Sequence, residues 1–334
     1  MTDSLRDRGE RALLEAIRRL VPRGPGVQIG VGDDAAVLAP IRAPLLVTTD
    51  AMIEGVHFRL RWLSPRALGR RAFEVSASDV AAMGGGVVAA VLALAAPPSL
   101  PVSSLRAIVA GVRDGARLAG GALVGGNLAS ARALSLTVTV LGAAPHGRPV
   151  TRAGARAGDR LFVTGALGAA AFGLRSLLST RSIAPAALAR WKRPRARLRA
   201  GAALARRGVA AAMIDLSDGL LIDTDRLCAA SGVAARIDAD RVPLAQALRG
   251  LAPKQARDLA FGGGEDYELL FAVRPRCLPV LRTMRAALGC RVTEIGEIVG
   301  GRGITVVAQG RALAPTTTLG HEHFANRRRH VSHR

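Results

Sequence analysis

Apolar and polar positions along this chain switch between a helical period and a strand period. Leu13, Ile17 and Leu20 share one side of a segment that predicts an amphipathic helix over residues 5–20, and Pro22 to Gly26 break it. Residues 45–49 read as a strand, 65–83 as a helix and 87–95 as a buried strand. Over residues 104–119 a second helical stripe carries Leu105, Ile108, Val109, Val112 and Ala116. From 134 to 141 the alternation is strict. Leu134, Leu136, Val138 and Val140 oppose Ser135, Thr137 and Thr139, the pattern of a half-buried strand.

Residues 146–158 are rich in Pro, Gly and Arg and read as a linker. Beyond it, strands are expected at 161–164, 211–214 and 269–273, and helices at 194–207 and 220–230. The elements mix without a regular βαβ spacing, so an α+β architecture is expected in both halves. At roughly 150 residues per domain, 334 residues suggest two domains. The division expected is residues 1–148, residues 149–326 and a basic tail over 327–334.

Composition narrows the function classes. Hydrophobic residues at 49% suffice for a core and exclude wholesale disorder, while 3% aromatics leave few stacking platforms for single-stranded nucleic acid. The net charge is 47 − 25 = +22, but it is carried by scattered arginines, with Lys192 and Lys254 the only lysines. Compositional bias accounts for that charge, and no nucleic-acid partner is expected. Three cysteines without a CxxC pair fit a reducing cytoplasm. The charged first eleven residues lead into no apolar run, so no signal peptide is expected. Residues 80–105 lack charge, yet Gly84–Gly86, Pro97, Pro98 and Pro101 interrupt them, so no membrane span is expected.

Candidate chemistry lies in the acids, which fall in compact groups: Asp33-Asp34, Thr48-Thr49-Asp50, Ser78-Asp79, Asp215 to Asp218, and Glu265-Asp266. Asp79 shares a helical stripe with Leu68, Ala72, Val75 and Ala82. A carboxylate on such a face must be paired, protonated or metal-bound. Singly, each group has a plainer reading: Asp33-Asp34 as a solvated turn, Asp218 as a helix N-cap, Glu265-Asp266 as a turn edge. Together they differ, because two carboxylates 4 Å apart repel by about 4 kcal/mol at an effective dielectric near 20. An oxygen-only set without His or Cys suits Mg²⁺. Gly84–Gly86, Gly125-Gly126 and Gly165 read as turns where phosphate can meet backbone amides, and Arg152 as a phosphate partner. The chain has no GxxxxGK[ST], no protein-kinase signature and no GxGxxG after a strand. His57 is the only histidine outside the linker and tail, which leaves no triad.

As an ordered set these motifs resemble the thiamine-monophosphate kinase family, in the wider aminoimidazole ribonucleotide synthetase-like superfamily. The matching segments are GVGDDAAVL (30–38), TTDAMIEGVHF (48–58), SASDVAAMGG (76–85), Gly125–Asn127, Thr151–Ala155, Val163–Gly165, IDLSDGL (214–220) and GGGEDYELL (262–270). The resemblance implies ATP-dependent phosphorylation of thiamine monophosphate to thiamine diphosphate. It implies a mixed α/β N-terminal domain whose sheet pairs in a homodimer, beside an α+β C-terminal domain. Asp34, Thr48, Thr49, Asp50, Asp79, Asn127, Asp215 and Asp218 match Mg²⁺ ligand positions, with Asp79 and Asp218 as the catalytic pair. Gly126, Arg152 and Ser217 match ATP contacts, and His57, Glu265 and His321 match substrate contacts. Asn127 stands where the family often has an acid, and His321 where it often has an aromatic.

Rivals within the superfamily lack their marks. Selenophosphate synthetase carries a reactive Cys or selenocysteine in an N-terminal Gly-rich segment, and no cysteine precedes Cys228. The hydrogenase-maturation relative ends in a functional Cys, whereas this chain ends Ser332-His333-Arg334. An Arg-rich nucleic-acid-binding protein is the alternative of a different class.

Overall fold

The computed structural model describes residues 3–144, 147–179 and 185–313. Two helices, α1 (Leu5–Arg8) and α2 (Glu10–Leu20), stand where one is expected. Gly9 divides them at φ 71°, a left-handed conformation that stops a right-handed helix and suits glycine. A short antiparallel ribbon, β1 (Val27–Ile29) with β2 (Val37–Leu38), carries the 30–36 loop between its strands.

The first sheet is built from β3 (Leu45–Ile53), β4 (Gly86–Ala96), β5 (Ala122–Ser130) and β6 (Ser135–Ala143), in the order β3-β6-β4-β5. β4 and β5 run parallel; the other neighbours are antiparallel. The period-2 alternation in β6 is borne out: Leu136, Val138 and Val140 are fully buried and the threonines between them are not. One face of the sheet is covered by α3 (Pro65–Ala82) and α4 (Val102–Leu118). Ser64 starts α3, its Oγ accepting from the Ala67 N–H at 3.3 Å, with Pro65 in the first turn. On the other face the ribbon packs over Val88, Val91 and Leu141, while Leu45, Val47 and Ile53 of β3 stay exposed.

The second sheet has seven strands: β7 (Arg160–Thr164), β8 (Ala210–Asp215), β9 (Ala234–Asp238), β10 (Leu269–Val273), β11 (Val292–Val299), β12 (Gly303–Ala308) and β13 (Arg311–Ala312). Their order is β13-β12-β9-β11-β7-β10-β8, antiparallel except for β9 with β12. Its helices are α5 (Ala169–Leu178), α6 (Pro185–Lys192), α7 (Leu198–Arg206), α8 (Leu220–Ser231), α9 (Pro253–Gly262), α10 (Leu278–Thr283) and α11 (Arg285–Leu288). α7, α10 and α11 pack on one face, α8 on the other. The end of α3 reaches this second body, where Ala81 and Ala82 pack with Leu204 and Phe271. The α+β expectation holds in both halves.

The helix expected over 194–207 begins instead at Leu198. Pro194 disfavours helical backbone at Arg193 before it, and the Ala196 N–H is committed to Glu74 Oε2 at 2.8 Å. No helix among the described residues is long and apolar enough to cross a membrane.

Candidate active site

Strand alternation sorts the Thr48-Thr49-Asp50 motif. Thr48 faces α3 and its hydroxyl donates to Asp79 Oδ2 at 2.5 Å. Thr49 points to the opposite, exposed face, where the Thr139 hydroxyl donates to its Oγ1 at 3.0 Å. Asp50 returns to the α3 side. Asp79 lies half-buried in the last turn of α3. The residue before it, Ser78, donates to Asp215 Oδ2 at 2.7 Å, and Asp215 ends β8. Two consecutive residues of one helix thus reach carboxylates or hydroxyls on both sheets.

These acids interact through space. Burial, and then the charge of Asp79, push the Asp50 carboxyl up to about 6. Burial and Asp79 likewise push Asp215 up to about 7, against the opposing pulls of the Ser78 hydrogen bond and the Arg152 charge. Asp218 is held by Arg226 at 2.5 Å, and the same guanidinium holds Asp223 at 2.7 Å. Asp223, in the first turn of α8, fixes the loop before the helix: its Oδ2 accepts from the Asp218 and Gly219 N–H groups at 3.0 and 3.1 Å. The N-cap position is Gly219, without a side-chain cap bond, so Asp218 is not the cap, and its carboxylate is paired with Arg226. Among the described residues, no three His, Cys, Asp or Glu side chains converge closely enough to hold a metal ion by themselves. The carboxylates stand near one another without closing a cage.

The glycine-rich 262–268 segment lies directly beside the 215–218 loop. The Glu265 N–H donates to Ser217 O at 2.7 Å, Tyr267 N–H to Leu216 O at 2.9 Å, and Leu216 N–H to Glu268 O at 2.7 Å. Glu265 and Tyr267 adopt left-handed backbone, φ 68° and 50°. The side chains then diverge. Glu265 pairs with Arg71 and accepts from Trp191 Nε1 at 2.6 Å. Asp266 accepts from the Gly168 N–H at 2.7 Å near the start of α5. Glu268 accepts from Thr164 at 2.6 Å and from Arg190 and Arg197 at 2.5 Å. None of Arg71, Trp191, Arg190, Arg197, Asp223 and Arg226 is anticipated from sequence. Arg71 carried a signal: it lies three residues after Leu68 and four before Val75, on the stripe that singles out Asp79.

His57 sits on the turn after β3, where its Nδ1 accepts from the Ile53 N–H at 3.1 Å and Phe58 anchors the turn in the core. Arg152 is exposed, near enough to Asp215 to act on its charge. Ser217 is half-buried between the two bonded loops. His321 lies outside the described residues.

The remaining candidates stand elsewhere. Gly125 and Gly126 do not form a turn; they belong to β5, beside β4. A Cβ on Gly126 would meet Leu92 O at 1.9 Å, so glycine here answers a close backbone approach rather than a turn. Asn127 follows, exposed and paired with Ala93. Asp34 is exposed and lines a cleft of about 1120 Å³ with Gly125, Gly126, Arg11 and Arg18. Asp50, Val138, Leu92 and Gly126 form one row across the sheet. Three strand spacings, roughly 14 Å, therefore separate Asp50 from Gly126 within one chain.

Residues 32–144 match the N-terminal domain model, and residues 156–309 the C-terminal domain model, of the AIR synthase related proteins. The thiamine-monophosphate kinase of Caulobacter vibrioides is 36% identical over 310 residues, covering 89% of this chain and 86% of that protein. The chain belongs to the thiamine-monophosphate kinase family. The family member from Aquifex aeolicus is 34% identical over 328 residues, covering 96% of this chain and 99% of its own. The crystal structure of thiamine-monophosphate kinase from Stenotrophomonas maltophilia superposes with a TM-score of 0.79 at 35% identity, over 90% of this chain and 96% of that one. The complex of AaThiL with AMPPCP and TMP superposes at 0.72 with 32% identity, over 96% and 100%. The hydrogenase maturation protein HypE of E. coli reaches 0.74 at 21% identity over 92% and 96%, a likeness of fold. Among thiamine-monophosphate kinases the two sheets and their helices are thus a shared frame.

Proposed function

We propose that this protein transfers the γ-phosphoryl group of ATP to thiamine monophosphate, giving thiamine diphosphate and ADP. The observation that carries the reading is that α3 brings Asp79 to Thr48 at 2.5 Å and Ser78 to Asp215 at 2.7 Å, with the charge of Asp79 acting on both Asp50 and Asp215, on either side of a domain division that we place near residues 148 and 149. Acids gathered this closely repel one another unless protons or cations join them, and above pH 7 that leaves cations. The relatives named thiamine-monophosphate kinase, and the related complex with AMPPCP and TMP, support the choice of reaction.

The donor set fits Mg²⁺. It is all oxygen, from Thr48, Asp50, Asp79, Asp215 and Asp218, with two carboxyls raised by burial and then by the charge of Asp79. Mg²⁺ ordinarily takes one or two carboxylates and completes its shell with phosphates and water, which suits acids that do not close a cage by themselves. When bound it would neutralise the phosphates of donor and acceptor and align them. Arg152, beside Asp215, holds a phosphate. Ser217 borders the nucleotide, and Glu265 and His57 hold the acceptor heterocycle. The acceptor phosphate is anionic at neutral pH and needs no general base, so transfer is direct and in line.

The apolar stripe Leu45, Val47 and Ile53, with Val47 64% exposed, supports a homodimer joined through the first sheet. Three cysteines outside any disulfide support a cytoplasmic location. The test is ADP release from ATP and Mg²⁺ with a panel of acceptors. Release that requires thiamine monophosphate supports the reading; release that requires another superfamily substrate, or none, sinks it.

A further inference from the structure

We propose that Arg71 and Trp191 form a clamp that positions Glu265 for the acceptor substrate. The proposal rests on the reading of Glu265 as a substrate contact. Arg71 projects from α3 and its side chain is 1% exposed. It donates one guanidinium nitrogen to Glu265 Oε1 and another to the Trp191 carbonyl. The same guanidinium lies 4.5 Å from the centroid of the Trp191 ring, within cation–π range. Trp191 is fully buried near the end of α6, and its Nε1 donates to Glu265 Oε2 at 2.6 Å. Trp62 meets it edge-on, 5.7 Å between centroids at 78°.

Each Glu265 oxygen is therefore held by one donor from a different element. A carboxylate oxygen accepts at two lone pairs, so each keeps one in hand. Glu265 retains a quarter of its side-chain surface, which gives those lone pairs an open side. Its left-handed backbone, φ 68°, is disfavoured for a residue with a Cβ and is pinned by the bond to Ser217 O. Rotation of the carboxylate would break either the Arg71 pair or the Trp191 bond. A buried guanidinium with one carboxylate partner enforces this, because releasing Glu265 strands the charge. Arg71 belongs to the first sheet's helix layer and Trp191 packs into the same core, whereas Glu265 lies on the 262–268 segment bonded to the 215–218 loop of the second sheet. The clamp thus sets Glu265 relative to Asp79, eight residues further along α3.

Neither clamp residue presents itself to the acceptor in this arrangement: both are positioning residues acting through Glu265. That distinguishes them from merely structural residues, because their effects must vanish when Glu265 is altered. The experiment is a double-mutant cycle on the full chain with Trp191→Phe, Glu265→Gln and the pair, repeated with Arg71→Lys. Thiamine monophosphate affinity is read twice, from its KM and from tryptophan emission; Trp62 and Trp191 are the chain's two tryptophans, so Trp62 reports in the Phe variant. Trp191→Phe and Arg71→Lys should each weaken acceptor binding about tenfold, the scale of one charged hydrogen bond, with the KM for ATP unchanged. In the Glu265→Gln background either change should weaken binding less than about twofold, by that non-additivity. Additive losses, or equal losses for ATP, would overturn the clamp. If Glu265→Gln alone leaves acceptor affinity at wild type, the reading of Glu265 as a substrate contact falls first, and the clamp with it.

Discussion

Ser78 donates a 2.7 Å hydrogen bond to Asp215, from the helix that also carries Asp79. The bond ties the first sheet's helix layer to the last residue of a strand in the second sheet. It also favours the charged form of a carboxyl that burial pushes up to about 7. Removing it with Ser78→Ala should raise that value further. If transfer needs ionised Asp215, the acid limb of the kcat/KM profile moves to higher pH, and activity near pH 7 falls about tenfold, the scale of a charged hydrogen bond. Full recovery at pH 8.5 is part of the expectation. An unshifted profile would remove Asp215 from the machinery.

Asp79→Asn keeps volume and removes charge. Turnover should be lost by several powers of ten, at about 1.4 kcal/mol for each. Stability should not fall with it. Asp79 raises both Asp50 and Asp215, so its neutralisation relieves repulsion, and the variant should melt at or above the wild-type temperature in metal-free buffer at pH 8. A lower melting temperature together with near-normal kcat would make Asp79 a structural acid.

How far these features were legible in sequence depends on the range of the interaction. The Leu134–Val140 alternation gave its strand directly, because a sheet face is a local pattern. Asp79 was found because a helical stripe exposes an acid that does not belong there. Arg71 lies on the same stripe, but its partners are 120 and 194 residues away, and no local period records such distances. Gly125-Gly126 misled for a related reason. Turns and close strand packing both select glycine, and only the position of Leu92 O separates them. The pairing of Asp218 with Arg226, eight residues on, and the bonds of Asp223 back to the 218–219 backbone are likewise invisible to a one-turn window, which treats Asp223 as an ordinary first-turn acid.

Asp266 gives a stability signature independent of turnover. Burial pushes its carboxyl up to about 7, partly offset by the Gly168 and Ala170 N–H groups. In an unfolded chain the group titrates near 4. Between about 4 and 7 the folded protein keeps a proton that the unfolded chain has released, so stability contributed here falls as pH rises through that window. Asp266→Asn cannot titrate. The melting temperature of the variant minus that of wild type should therefore increase from pH 5 to pH 8. A constant difference would contradict the assignment.

Asn127 is exposed on β5, paired with Ala93. If its side-chain oxygen serves Mg²⁺ near the phosphates, Asn127→Asp adds charge and should lower the Mg²⁺ concentration for half-maximal rate, whereas Asn127→Leu should raise it. Three titrations with one shared midpoint would confine Asn127 to the strand.

The central claim is tested most directly by a rapid-quench single turnover with γ-labelled ATP, Mg²⁺ and thiamine monophosphate. Label should pass straight into thiamine diphosphate, one for each ADP formed, with no labelled protein at any time and no transfer in Asp79→Asn. Labelled protein that precedes the product, or an absence of labelled thiamine diphosphate, would contradict it.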